Sequence, residues 1–169
     1  MRHPLAAPTD MSHWKQFKPK SCSVHLKAAD KAEALREVID NLIKGECLDE
    51  ALRLPAELAL VEREKLGSTG VGMNVAIPHV KLAGLERAVC SLSVHATGLE
   101  WQAVDGAPVH LVFTVLRPDK QGSTHDPERH LELIQWIARL ARDQDFRRFA
   151  VKVKTKGELV ELLKEKSAV

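Results

Sequence analysis

The sequence predicts an α/β layer fold. Segments of helical period alternate along it with short runs rich in Val and Leu. Its 169 residues suit one ordinary domain, long enough to bury a real core. Hydrophobic residues make up 44% of it and charged residues 28%, a folded composition rather than a disordered one.

Residues 1–11, MRHPLAAPTDM, carry two prolines and no periodicity. They are expected to be an unstructured lead-in to a domain spanning 12–169. DKAEALREVIDNLIKG (30–45) predicts the first helix. Asp30 and Glu33 suit a capping box, Leu35, Val38, Ile39, Leu42 and Ile43 recur on one face, and Gly45 suits a stop. A second helix is expected from Pro55 to Gly67, ending in the charged run Glu62, Arg63, Glu64, Lys65. GSTGVG (67–72) is a glycine-rich turn, and NVAIPH reads as a short strand cut off by Pro78. AVCSLSVHA (88–96) and VHLVFTVL (109–116) read as buried strands, joined by the turn chemistry of GLEWQAVDGAP. RPDKQGSTHDP (117–127) is a loop on composition. Asp126 and Pro127 then open PERHLELIQWIARLARD, whose Ile134, Ile137, Ala138 and Ala141 share an apolar face with His130 in the first turn. A short segment surrounds Phe146, and Thr155 with Glu158 caps a final helix, TKGELVELLKEK.

Bulk properties exclude several functions. A net charge of +2 lacks the basic excess of a nucleic-acid binder. Three Trp, four Phe and no Tyr leave little for base or sugar stacking. Cys22, Cys47 and Cys90 are scattered and form no CxxC pair, as expected of reduced thiols in the cytoplasm. No apolar run approaches a membrane span, and the N-terminus lacks the apolar stretch of a secretory signal.

Four features could carry chemistry. His79 follows Pro78 at a strand end, a common place for functional groups in α/β sheets. It is one of eight histidines, so position alone does not single it out. The backbone of 67–72 could form an anion-binding nest, although a flexible turn has the same composition. It lacks both the P-loop and the dinucleotide fingerprint. His130 sits on an apolar face, where a core histidine is the commoner reading, but a helix N-terminus also favours negative charge. Arg63 is a solvated helix-end charge or, against a phosphoryl group, a bidentate clamp. Metal binding is not expected: His125 and His130 are five apart, off one helical face, with no HExxH or CxxC. No GxSxG nucleophile elbow is present.

The stretch REKLGSTGVGMNVAIPHV resembles the active-site signature of enzyme IIA of the fructose–mannitol class (type 2) in the bacterial phosphoenolpyruvate:sugar phosphotransferase system (PTS). It lies nearest the stand-alone nitrogen-regulatory type. The residues that carry the resemblance are Arg63, Glu64, Gly67, Ser68, Thr69 and Gly70, then Ala76, Ile77, Pro78 and His79. HLELIQWIARLARD resembles the family's second block and puts His130 in the partner-histidine position. KAEALREVIDNL resembles its first helix, so the blocks run in order from about residue 12 to 166.

The resemblance implies a single α/β domain, with a mixed central β-sheet flanked by helices on both sides. It implies that His79 is the nucleophile, carrying phosphate on Nε2 with Nδ1 bonded to backbone. The donor would be an HPr-type phosphocarrier protein, and no cofactor, metal or nucleotide would be needed. Arg63 and a protonated His130 would offset the roughly two negative charges of the phosphoryl group, His130 without being phosphorylated itself. Ser68, Thr69 and Gly70 would line the pocket. The absence of a fused IIB or membrane domain favours PTS-linked regulation through protein targets. The alternatives are a sugar-specific enzyme IIA that phosphorylates a IIB domain for fructose- or mannitol-type uptake, and a binding module without phosphotransfer. One position departs from the pattern. The residue after the active histidine is usually small, and here it is Val80, a stiff β-branched side chain expected to narrow access to the imidazole.

Overall fold

The structure is a computed structural model that describes residues 9–119 and 126–167. His125 lies outside the described residues. A 3-10 helix covers Thr9–Gln16, so the last three residues of the expected lead-in, 9–11, are helical; residues 1–8 are not described. Among the described residues five α-helices follow: α1 (Lys31–Lys44), α2 (Arg53–Leu66), α3 (Pro127–Arg142), α4 (Gln144–Ala150) and α5 (Lys156–Ser167). Between α2 and α3 lie β1 (Gly70–Gly72), β2 (Val75–Ala76), β3 (His79–Leu82), β4 (Val89–Leu99) and β5 (Val109–Pro118).

The sheet is mixed. β5 is its central strand, antiparallel to β4 and parallel to both β2 and β3. β2 and β3 share one edge of β5 in a single register: Val75 and Ala76 face Leu111 and Val112, and His79 and Val80 face Val115 and Leu116. Pro78 therefore interrupts a strand rather than ending it, and His79 begins the resumed half. The proline cannot donate, but its carbonyl accepts the N–H of Val115 at 3.0 Å, which carries the pairing across the break. Half of the expected glycine-rich turn, Gly70–Gly72, is likewise strand, paired antiparallel with β2. Met73 and Asn74, with φ of 56° and 67°, close that hairpin. Asp105 pins the turn by accepting the Met73 N–H at 2.9 Å, and backbone donors at Met73 and Ala107 hold its carboxyl below the usual range. On the far edge of β4, segment 17–26 adds bridges at Phe17–Cys90 and Ser23–Ser93, which cover the edge.

Alternation along β5 builds a core on each face. Leu111, Phe113 and Val115 join Trp136, Ile137 and Leu140 of α3, Phe146 of α4 and Leu163 of α5. Val112 and Leu116 join Leu35, Val38, Ile39 and Leu42 of α1 and Leu60 of α2. Helices thus cover both sides of the sheet.

Local signals explain most helix ends. Asp30 accepts the Glu33 N–H at 2.8 Å, and Glu33 reaches back to the Ala29 N–H at 2.8 Å, one residue beyond the standard box. Asp30→Ala is expected to cost about 1 kcal/mol. It would be read as a lower urea midpoint at unchanged slope, and an unmoved midpoint would contradict the cap. Gly45 stands at the α1 C-cap with an ordinary φ of −81°. What demands glycine there is a close approach, because a Cβ would lie 2.2 Å from the Lys20 carbonyl oxygen. α2 starts two residues before the expected Pro55, out of a 3-10 turn at Glu50–Leu52. Pro55 is tolerated because N–H groups in the first turn have no intrahelical acceptor. In α3 the buried face is Leu133, Trp136, Ile137, Leu140 and Ala141, so the expected Ile134 and Ala138 lie at its half-buried margin. Thr155 and Glu158 cap α5 as the sequence predicts, through bonds of 3.1 and 3.0 Å to the Glu158 and Lys154 amides.

Candidate functional site

His79 and His130 come together although 51 residues separate them in the sequence, their ring centroids lying 6.4 Å apart at 45°. His79 shares the sheet face of Ile77 and Val115, the face that α3 covers. His130 stands one turn into α3, after Asp126 has capped the Glu128 N–H at 2.9 Å. The α3 terminus thus aims its first turn, and the second imidazole, at the break beside Pro78.

The His79 ring is half-buried, and its Nδ1 lies 2.8 Å from the carbonyl oxygen of Ile77. A carbonyl only accepts, so Nδ1 carries the proton of the neutral ring. Nε2 is then the unprotonated nitrogen, with a lone pair available to an electrophile. Val80 points the other way: it packs with α1 and α2 on the opposite face of the sheet. The expected narrowing of access at the imidazole is therefore absent. The interrupted strand keeps its register, so His79 and Val80 alternate faces as ordinary neighbours do.

The other expected residues are placed differently. Arg63 is half-buried near the end of α2, and its Nη1 donates to the Gly67 carbonyl at 2.8 Å. Its described contact is with its own helix end, and none reaches His79 or His130. Ser68 Oγ donates to the Trp101 carbonyl at 2.9 Å and accepts the Gly70 N–H at 3.1 Å. Thr69 is buried, its hydroxyl donating to the Glu64 carboxylate and its N–H lying 3.2 Å from Glu64 Oε1. Of the backbone amides in the glycine-rich segment, that of Thr69 meets the Glu64 carboxylate and that of Gly70 meets Ser68 Oγ. Both hydroxyls thus bond within the protein, to Trp101 and to Glu64.

Glu64 belongs to the signature stretch, but its role emerges only from the structure. Its carboxylate also accepts Trp101 Nε1 at 3.3 Å and pairs with Lys31 Nζ at 3.0 Å. Lys31 in turn donates to the Trp101 carbonyl at 2.9 Å, and Trp101 is fully buried. A signal was present. An acid in the last turn of a helix opposes the macrodipole, and such local conflicts point to a tertiary partner. The cluster also explains Gly70, where a Cβ would lie 2.8 Å from Ala103 Cβ and 2.9 Å from Ala103 Cα. Gly70→Ala is expected to destabilise by about 2 kcal/mol through overpacking. Chemical denaturation checks this, and a wild-type midpoint would show that the 101–103 segment yields freely.

Burial pushes Cys22 up to about 11 and also raises Cys47 and Cys90. Among the described residues, no group of three or more His, Cys, Asp or Glu is placed to hold a metal ion. Among them, too, no helix is long and apolar enough to cross a membrane.

Known proteins are similar to this chain in sequence and fold. Residues 15–166 match the family model described as "Phosphoenolpyruvate-dependent sugar phosphotransferase system, EIIA 2". A nitrogen regulatory protein of Bradyrhizobium diazoefficiens is 38% identical over 127 residues, covering 75% of this chain and 78% of that one. The crystal structure of nitrogen regulatory protein IIA-Ntr from Neisseria meningitidis superposes with a TM-score of 0.77 at 26% identity, covering 89% of this chain and 97% of that chain. Enzyme IIA for mannitol from Escherichia coli, solved in complex with phosphorylated enzyme IIB, superposes with a TM-score of 0.65 at 21% identity, covering 88% and 99%; this likeness shows the fold alone. The chain belongs to the EIIA type 2 family of the phosphoenolpyruvate-dependent sugar phosphotransferase system.

Proposed function

We propose that this chain is a cytoplasmic phosphocarrier that takes a phosphoryl group on His79 Nε2 from an HPr-type phosphohistidine protein and acts in PTS-linked regulation. The observation that carries the reading is the Nδ1 bond to the Ile77 carbonyl, which leaves Nε2 as the nucleophilic nitrogen. In the transfer, the Nε2 lone pair forms a bond to phosphorus as the donor's P–N bond breaks. The electron pair returns to the donor imidazole, which leaves as a neutral ring because its other nitrogen keeps a proton. His79 keeps its Nδ1 proton throughout.

The transition state for such a transfer is loose, so the protein contributes position and charge. His130 beside His79, in its protonated form, places a cation at the incoming phosphoryl group. Arg63 adds a second cation once its guanidinium leaves the Gly67 carbonyl. Ser68, Thr69 and Gly70 hold the pocket wall through the Glu64 cluster. Leu131, 57% exposed next to His130, offers apolar surface to the docking carrier.

The regulatory reading draws on the nitrogen regulatory relatives, and transfer to a IIB domain is the second reading, drawn from the mannitol complex. The test supplies phosphoenolpyruvate, enzyme I and an HPr-type carrier, then adds purified IIB domains. Acid-labile label on this chain that no IIB drains supports a regulatory carrier. Rapid loss of label to a IIB cysteine would move the chain to sugar uptake. Failure of every carrier to label it would leave a binding module without phosphotransfer.

A further inference from the structure

The carbonyl that orients His79 is itself held from behind. The N–H of Ile77 donates to the Thr69 carbonyl at 2.9 Å, extending the β1–β2 ladder by one bond. Thr69 is tied to Glu64 twice, through its amide and its hydroxyl. The Glu64 side chain is only 7% exposed and is fixed in turn by Lys31 and Trp101. Ile77 precedes a proline, which confines its ψ to the extended range. Clamping the peptide on the N-terminal side of Ile77 therefore nearly fixes the carbonyl on its other side. Beyond the proline, the Pro78 carbonyl is anchored by the Val115 N–H at 3.0 Å.

We infer that Glu64 is a positioning residue for His79. Acting through Thr69 and the Ile77 peptide, it holds the acceptor that keeps the imidazole in its Nδ1–H tautomer. This rests on the reading of His79 as the phosphoryl acceptor. As Nε2 bonds to phosphorus, the ring becomes cationic while retaining its Nδ1 proton, so a fixed carbonyl dipole at Nδ1 stabilises the product as well as selecting the tautomer. Glu64 touches neither the reacting nitrogen nor the phosphoryl group.

Glu64→Gln keeps the shape but replaces one acceptor oxygen with an NH₂ group that meets Lys31 or Thr69 as a second donor. Long-range ¹H–¹⁵N spectra of the wild-type and variant chains read the His79 tautomer directly. Single-turnover transfer from a phosphorylated HPr-type carrier reads the rate. The expected result is a lower Nδ1–H population and a roughly ten- to a hundredfold lower kcat, with the KM for the carrier little changed. A folded E64Q with wild-type tautomer and wild-type kcat would overturn the inference. If E64Q does not fold, Trp101→Phe deletes one donor to the cluster and keeps a large ring. It is expected to lower kcat about fivefold with the same tautomer shift, and no change in either would overturn the inference. A wild-type chain that takes no phosphoryl group would sink the reading of His79, while the tautomer comparison would still decide the role of Glu64.

Discussion

His79→Ala is expected to abolish phosphoryl acceptance from an HPr-type carrier while shifting the stability of the fold by no more than about 0.5 kcal/mol. Two features separate the effects. The imidazole is half-buried at the start of β3, and its described bond is to the Ile77 carbonyl. Its loss exposes that carbonyl to water without opening a cavity in either core. Burial raises all three thiols, which disfavours a thiolate as substitute. His130→Ala should behave differently: on the proposed roles the nucleophile remains, but the partner imidazole beside the phosphoryl group is gone. A loss of roughly 10²–10³ in transfer rate is expected, the scale for removing one electrostatic stabiliser. Quench-flow labelling of both variants checks the pair. Label retained by His79→Ala and lost by His130→Ala would reverse the two assignments.

The second large effect concerns stability. Lys31→Met should destabilise the chain by about 3 kcal/mol, the lower end for breaking a buried pair by removing one partner. Glu64 would keep its carboxylate in a 7% exposed site without its cation, while the 20% exposure of Lys31 holds the loss to that lower end. The lysine also donates to the Trp101 carbonyl at 2.9 Å, so the segment facing Gly70 loosens with it. Lys44→Met is the control. That lysine pairs with Asp40 at 2.8 Å but is 73% exposed, and its loss should cost less than about 1 kcal/mol. Urea denaturation of both variants separates the cases. Equal small losses would mean that the Glu64 cluster is not the brace described.

Much of this fold is legible in the sequence because its signals are local. The Asp30 and Thr155 caps and the apolar face of α1 depend on residues within two helical turns. The histidine pair is legible only through the order of motif blocks, since nothing local relates His79 to a residue on α3. Two features escaped for a definite physical reason. Pro78 reads as a terminator because it lacks a donor, yet β5 pairs on both sides of it, and only the register with Leu111 to Leu116 reveals that. The direction of Val80 follows from the same register. Glu64 looked like part of a solvated charge run because its partners, Lys31 and Trp101, lie 33 and 37 residues away. The Thr69 hydroxyl turns toward that hidden carboxylate, and the Ser68 hydroxyl donates to the Trp101 carbonyl.

On the proposed reading one nitrogen, His79 Nε2, accepts the phosphoryl group because Nδ1 is committed to the Ile77 carbonyl. ³¹P and long-range ¹H–¹⁵N spectra of the chain after phosphorylation by an HPr-type carrier test it directly. A single phosphohistidine at His79, bonded through Nε2 and protonated at Nδ1, is the predicted result. Phosphate on Nδ1 of His79, or on His130, would contradict it.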